Sequence, residues 1–131
     1  MLTITDGGSL TRALSTSIDP LLKRLLIERR DQLDGEIKGE ARFIVVQPGD
    51  GLDALEIALG FSILQNQTDG HRFGDPEFSP SCEWIADHGT FYEAVWILTD
   101  DGFAHVALIT KHDGIDPELL KFCELYVTDP V

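Results

Sequence analysis

The chain has 131 residues, of which 43% are hydrophobic and 25% charged, and its formal net charge is −13. This composition predicts a folded globular protein that needs neither a disulfide nor a structural metal. The charge is uneven, because residues 1–42 hold seven acidic and seven basic residues, whereas residues 43–131 hold sixteen acidic and three basic ones. Such a surface repels phosphate backbones and anionic membranes, so direct binding to nucleic acid or membrane is not expected. It would attract a basic protein, although acidic residues also serve solubility alone.

The start of the chain is polar and rich in Gly, Ser and Thr, which predicts a loose N-terminal arm at residues 1–16. A single α+β domain is expected over residues 17–131. The segment MLTITDGGSL lacks the basic and apolar regions of a signal peptide, and no stretch reaches the length of a membrane helix, so a cytoplasmic location is expected. The arm is followed by an amphipathic helix, since Leu22, Leu25, Leu26 and Leu33 line one face at helical spacing.

The next elements are a strand, a short helix and a second strand. The strand ARFIVVQ, Ala41 to Gln47, is apolar on both faces. A helix is predicted from Asp53 to Leu59, closed by Gly60, and the following FSILQ predicts another short strand.

A long irregular loop runs from Asn66 to Ser81, and Phe73 and Phe78 predict that it packs onto the body of the protein. Its histidine, His71, lies in the one cluster of the sequence that resembles a catalytic or metal-binding assembly. The other members of this cluster are Asp69, Arg72, Asp75 and Glu77.

Two strands follow, CEWIADHG and FYEAVWILT, with a turn at His88 and Gly89. The turn TDDGF then connects the second of them to FAHVALIT, which predicts a hairpin apolar on both faces and therefore covered on both sides. A type I turn with Gly102 in the left-handed conformation would pair Thr99 with Phe103 and Ile97 with His105.

The C-terminal helix has the clearest start signal, with Asp116 as N-cap and Pro117 in the first turn. The predicted fold is therefore α+β: an antiparallel sheet with a central hairpin, packed by an N-terminal and a C-terminal helix. Its core includes the histidine of the hairpin, His105, as a structural residue, whereas His88 and His112 are typical turn residues.

The histidines and cysteines argue against a metal site or a nucleophile. No two histidines have the i,i+4 spacing of a helical metal pair, and Cys82 and Cys123 are far apart in sequence and show no activating base. We therefore predict no metal, no other cofactor and no catalytic residue.

Four segments, ALGFSIL, RFGDPEFSPSCEWIADHG, ILTDDGFAHVALI and GIDPELLKFCELY, together resemble small acidic proteins of unassigned function from proteobacterial plasmids and integrated elements. The resemblance covers Pro48 to Tyr126. It implies no activity and no functional residues, and it favours modulation of a host or element protein over metabolic catalysis.

The leading hypothesis is a small non-enzymatic binding or regulatory module that engages a basic protein partner, such as a nucleic-acid enzyme. One alternative is a hydrolase-like or metal-dependent enzyme that uses the His71 loop. A second alternative is a structural homodimer with an apolar sheet face as its interface. The residues expected to bind the partner lie in predicted turns: Asp69, His71, Asp75, Glu77, Asp87, Asp100 and Asp101.

Overall fold

A computed structural model of the protein describes residues 2–4, 7–15, 20–28, 41–65, 70–80, 82–97 and 104–130. Within these residues, six strands form one sheet: β1 (Leu2–Ile4), β2 (Ala41–Val46), β3 (Trp84–Asp87), β4 (Phe91–Ile97), β5 (Ala104–Thr110) and β6 (Asp129–Pro130). The described helices are α1 (Gly7–Leu14), α2 (Pro20–Glu28), α3 (Leu52–Leu59) and α4 (Pro117–Tyr126). None of them has the length and apolarity needed to cross a bilayer.

The sheet is mainly antiparallel, with strand order β1-β2-β5-β4-β3-β6. The hairpin β4–β5 lies at its centre, so the predicted α+β class and the central hairpin are confirmed. Two pairings are parallel, β2 with β5 and β3 with β6. Because β2 runs parallel to β5, the C-terminal ends of both strands, Val46 and Thr110, lie at the same end of the sheet.

A glycine ends helix α3, and a side-chain cap begins helix α4. In α3, Leu55 and Leu59 are buried one turn apart, and the helix ends at Gly60, whose φ of 88° lies in the left-handed region that favours glycine. In α4, Asp116 is the N-cap, because its Oδ1 accepts a hydrogen bond from the N–H of Glu118 at 3.0 Å.

The two faces of the sheet are covered by different elements. One buried cluster contains residues of α1 and α2, such as Leu10 and Leu26, with the β-strand residues Phe43, Val95 and Leu108. The cluster on the opposite face contains residues of α3, α4 and the loop between α3 and β3. Its buried members include Ile44, Leu55, Phe78, Trp96, Ala107, Leu119 and Phe122. The hairpin is therefore buried on both sides within one chain.

The prediction of a loose N-terminal arm is wrong for residues 2–4 and 7–15. Strand β1 pairs antiparallel with β2, and α1 follows it. Ile4, Leu10 and Ala13 are at most 2% exposed. The alternation around Ile4 and the helical spacing of Leu10 and Ala13 are too short to predict a strand or a helix in a polar segment. Burial against the rest of the protein stabilises both elements.

The prediction of a strand at FSILQ is also wrong. The N–H of Ile63 donates to Oε2 of Glu56 at 2.7 Å, and the carbonyl of Leu64 accepts from the N–H of Phe73 at 2.8 Å. Gln65 forms only an isolated antiparallel bridge, to Arg72. The backbone groups of this segment are thus used within the loop, and no described strand lies there.

The predicted hairpin register is wrong by one residue. Trp96 pairs with His105, and Ile97 pairs with Ala104, whereas the sequence predicted that Ile97 pairs with His105. A slip of one residue reverses the face on which one strand's side chains lie relative to the other. His105 therefore shares the α3–α4 face with Trp96. The predicted pair Thr99–Phe103 and the turn at Gly102 lie outside the described residues.

The segments that follow β2 and β5 are held together. The N–H of Gly49 donates to the carbonyl of Gly114 at 2.9 Å. A Cβ atom at Gly114 would lie 2.8 Å from Cβ of Pro48, closer than real Cβ contacts, and also 3.3 Å from Nδ1 of His112. This close approach requires glycine and fixes the geometry at the C-terminal ends of the two parallel strands.

Candidate functional site

Acidic side chains are concentrated on one side of the sheet. We define the acidic layer as residues 48–65, 70–80 and 112–127, which contain α3, the described loop and α4. Its acidic residues are Asp50, Asp53, Glu56, Asp75, Glu77, Asp113, Asp116, Glu118 and Glu124, and its basic residues are Arg72 and Lys121. The opposite layer, α1 and α2, carries Arg12, Lys23 and Arg24 against Glu28. Among the described residues, the layer over one face is thus strongly acidic, and helices α1 and α2 over the other face are slightly basic.

Some of these acids stabilise the local backbone, and others extend from the surface. Asp50 accepts from the N–H of Gln47 at 2.9 Å, and Asp75 accepts from the N–H of Arg72 at 3.0 Å. By contrast, the exposed acids on the helices, Asp53, Glu118 and Glu124, are directed toward solvent. This second group can meet a partner without disturbing a turn.

An exposed aliphatic side chain lies within the acidic layer. Ile57, in the middle of α3, is 81% exposed, because Leu55 and Leu59 occupy the buried side of the helix. A shallow depression of about 560 Å³ surrounds it, lined by Asp53, Glu56, Ile57, Gly60 and Phe61. The depression is therefore lined by both apolar and acidic side chains.

Two of the predicted site residues, His71 and Glu77, are in contact, and Asp75 lies in the same loop. Nε2 of His71 lies 3.2 Å from Oε2 of Glu77, and the two side chains are 33% and 75% exposed. The loop is anchored by aromatic contacts, with the ring centroid of Phe73 5.8 Å from that of Phe122. Phe78 is buried in the same cluster, so the prediction that the loop packs onto the body is confirmed.

The remaining predicted site residues do not join this loop cluster. Asp87 is the last residue of β3, and its carboxylate is bound by Lys111, which directly follows β5. Asp69, Asp100 and Asp101 lie outside the described residues. Among the described residues, no group of three or more His, Cys, Asp or Glu side chains could hold a metal ion. Within the described residues, the enzyme alternative therefore rests on the pair His71–Glu77.

A second concave site lies at the C-terminal ends of β2 and β5. We call it the strand-end cleft. It has a volume of about 480 Å³ and is lined by Leu22, Val45, Val46, Gln47, Pro48, Gly89, Thr90, Thr110, Lys111 and His112. The sequence did not predict this cleft, because its lining residues come from four separate segments, and each was assigned to a strand end, a helix or a turn.

An ion pair stands beside this cleft. Nζ of Lys111 donates to Oδ1 of Asp87 at 2.7 Å, and the N–H of Gly89 donates to the same oxygen at 2.8 Å. These contacts, the lysine first, lower the pKa of Asp87 below its ordinary value. The ammonium of Lys111 also lies 4.7 Å from the ring centroid of Tyr92. The phenol of Tyr92 has a raised pKa because it is buried.

The sequence also missed a buried carboxylate. Glu93 is 3% exposed in the middle of β4, and its Oε1 lies 3.1 Å from Nε2 of His88. The imidazole of His88 stacks on Phe91, with ring centroids 4.8 Å apart. The pair is separated by five residues across the β3–β4 turn, a spacing that no helix or strand pattern predicts. A charged residue in the middle of the apolar strand FYEAVWI was the available signal.

The two thiols have the environment of core residues rather than nucleophiles. Burial raises the pKa of the Cys123 thiol to about 12, and burial also raises the pKa of Cys82 above its ordinary value. Since the thiolate is the reactive species, neither side chain is activated.

Comparisons with protein-family models, with curated proteins and with solved structures gave no match to this chain.

Proposed function

We propose that this protein is a non-enzymatic binding module whose acidic layer engages a basic surface on another protein. The observation that supports the proposal is the division of charge across the sheet, with nine acidic and two basic residues in the acidic layer and one acidic and three basic residues on α1 and α2. Acidic residues that serve solubility alone need no such segregation. A one-sided field instead orients an approaching basic partner and speeds its encounter.

The depression around Ile57 gives this surface a centre. Protein interfaces combine an apolar core with a polar rim, and the exposed Ile57 with the partly buried Phe61 provides such a core. Asp53 and Glu56 line the same depression, and Asp53 is exposed. The matching partner surface carries an apolar side chain flanked by Lys or Arg.

A basic surface of this kind is typical of proteins that bind phosphate backbones. The partner we favour is therefore a nucleic-acid enzyme, and the acidic layer would occupy the surface that DNA or RNA uses. The module would then inhibit or regulate its partner by competition and would need no catalytic residue.

The test begins with the recovery of partners from the host extract on the immobilised protein. Association and dissociation rates are then measured at 0.01 M and 0.1 M salt, where the Debye length is about 30 Å and about 10 Å. We expect the association rate to fall steeply with salt and recovered partners to lose DNA or RNA when the module is added. Glu124→Gln should slow association, and Ile57→Ser should speed dissociation, because rim charges act on encounter and apolar centres on residence.

The matched control is Glu28→Gln, which removes the same charge from an exposed position on α2, in the opposite layer. It should leave both rates unchanged. Equal slowing by Glu28→Gln and Glu124→Gln would show that total charge acts, without a defined surface. Association that is insensitive to salt and to Glu124→Gln would contradict the proposal.

A further inference from the structure

The outer side of helix α2 carries the kind of surface that the acidic layer would bind. Leu21 and Ile27 are 41% and 50% exposed, and the exposed Arg24 lies three residues from each of them. Residues three or four apart in a helix are neighbours on its surface, so Lys23 also stands next to Ile27. The buried leucines of α2 face the opposite way, toward the sheet. This side of α2 therefore presents apolar side chains flanked by Lys and Arg.

Helix α3 shows the same pattern with the opposite charge. Ile57 is 81% exposed, and the exposed Asp53 lies four residues before it. In α2, Lys23 lies four residues before Ile27. Four residues span about 6 Å along a helix axis, so the isoleucine and the charged residue have the same separation in both helices. If the two helices pack side by side in the same direction, isoleucine meets isoleucine and ammonium meets carboxylate.

The two helices cannot meet within one molecule. Residues of α2 belong to the buried cluster on one face of the sheet, and residues of α3 belong to the cluster on the opposite face. A contact between the two patterns therefore needs two molecules, one that contributes α2 and one that contributes α3. Such a contact is heterologous, because the two copies use different surfaces.

We propose that the acidic layer binds helix α2 of a second copy of this chain, head to tail. Ile27 of one copy packs on Ile57 of the other, and Lys23 pairs with Asp53. This inference rests on the acidic layer as a binding surface and names a form of regulation for it. An acidic layer that holds a second copy excludes the basic partner, so the free fraction of the protein sets the amount that can bind that partner.

The charges on the two copies define the conditions under which this contact forms. Each chain has a net charge of −13, so two copies repel each other at long range. At 0.1 M salt the Debye length is about 10 Å, which screens this repulsion more than the attraction between charges in contact. A contact between two helix faces is smaller than the standard interface of about 1,600 Å², and small interfaces are typical of weak complexes. We therefore expect weak association that depends on concentration.

The experiment is sedimentation velocity of the purified full chain at 0.1 M salt, over a concentration range from about 10 µM to about 1 mM. We expect the weight-average sedimentation coefficient to rise across this range. A coefficient that stays at the value of the monomer throughout would overturn the inference.

Two variants identify the surfaces. Ile27→Ser and Ile57→Ser change exposed side chains, so both should fold, which far-UV circular dichroism checks. Each variant alone should associate at least about tenfold more weakly than the wild type, because the apolar contact is lost. An equimolar mixture should form dimers and no larger species, since each variant retains one intact surface. If Ile27→Ser alone still dimerises like the wild type, the contact is not the one inferred here.

The charge contribution is tested with Arg24→Gln against Lys121→Gln, which makes the same change in net charge at an exposed position on α4. Arg24→Gln should weaken self-association about two- to fivefold, as for the loss of one exposed charge pair, and Lys121→Gln should not weaken it. Equal weakening by both variants would show that net charge acts without a defined contact and would overturn the inference.

The same variants separate this inference from the proposed function. Ile27→Ser and Arg24→Gln leave the acidic layer intact, so they should not change the association rate with a basic partner. If the wild type does not self-associate, this inference fails, and the rates with a recovered partner still test the proposed function. If no basic partner binds but the mixture of variants forms dimers, the proposed function fails and this inference holds.

Discussion

Replacement of Trp96 by alanine tests the architecture most directly, because this side chain connects the hairpin to the α3–α4 face. Trp96 is 1% exposed, and its ring meets that of Phe61 edge-on with centroids 5.9 Å apart. A fully buried tryptophan removes about 200 Å² from water, which at about 25 cal/mol per Å² corresponds to roughly 5 kcal/mol. Measured truncations of buried Phe or Trp to Ala fall at about 3–5 kcal/mol. We expect a loss in this range for Trp96→Ala.

The assay is urea unfolding followed by far-UV circular dichroism, since fluorescence would lose one of its two tryptophan reporters. Trp84→Ala is the matched control, because the same residue type at 40% exposure should contribute much less. Trp96→Phe should fall between the wild type and Trp96→Ala. A loss below about 1 kcal/mol for Trp96→Ala, or equal losses for both tryptophans, would refute the burial of the hairpin on this face.

Three further outcomes are expected. His88→Ala should destabilise the fold by about 1–3 kcal/mol in urea unfolding, because the buried Glu93 carboxylate loses a hydrogen-bond partner; Glu93→Gln, which can keep that bond, should cost less. In thiol labelling of the native protein at pH 8, read by mass spectrometry, Cys123 should stay unmodified and Cys82 should react slowly, whereas both should react in denaturant. Because the pKa of Asp87 is lowered in the folded state, its ion pair stabilises above the ordinary carboxyl pKa of about 3.9, and this contribution disappears as pH falls through the folded-state value. The stability difference between wild type and Asp87→Asn should therefore be present at pH 7 and vanish in acid; a difference independent of pH would contradict this linkage.

The sequence predicted the hairpin strands correctly and their pairing incorrectly, for separate reasons. Alternation within each strand depends on local chemistry, and Trp96 and Ala94 share a face as predicted. The register between strands depends on the turn, and a change of one residue in loop length moves His105 from beside Ile97 to beside Trp96. No periodicity in the strands could have corrected that error.

Long-range pairing set a second limit on prediction. The parallel contact between β2 and β5 joins segments separated by α3, a long loop and two strands, and no local signal in Ala41–Val46 identifies its neighbour. The same limit explains the N-terminal arm, where Leu2–Ile4 becomes ordered by pairing with β2. The cap of α4 and the stop of α3 were predicted correctly by contrast, since the Asp116 cap and the Gly60 stop act over one turn.

The candidate sites also differ in how far the sequence alone predicts them. The acidic bias of residues 43–131 was visible from composition, and so was the cluster around His71. The side of the sheet on which the acids lie depends on which helices cover which face. The strand-end cleft depends on the unpredicted β2–β5 pairing, because Val46 and Thr110 become neighbours only through it.

The parallel pairing of β2 also has a consequence for protein synthesis. Residues 43–46 are at most 1% exposed in the folded sheet, yet β5, the partner on one side of β2, begins at Ala104. The ribosome adds about 5–20 residues per second, so this apolar strand waits about 3–12 s with one hydrogen-bonding edge unpaired. Unpaired apolar edges recruit other chains, and newly made β2 therefore needs protection from aggregation during translation. Once β5 emerges, the same edge becomes the interior of the sheet.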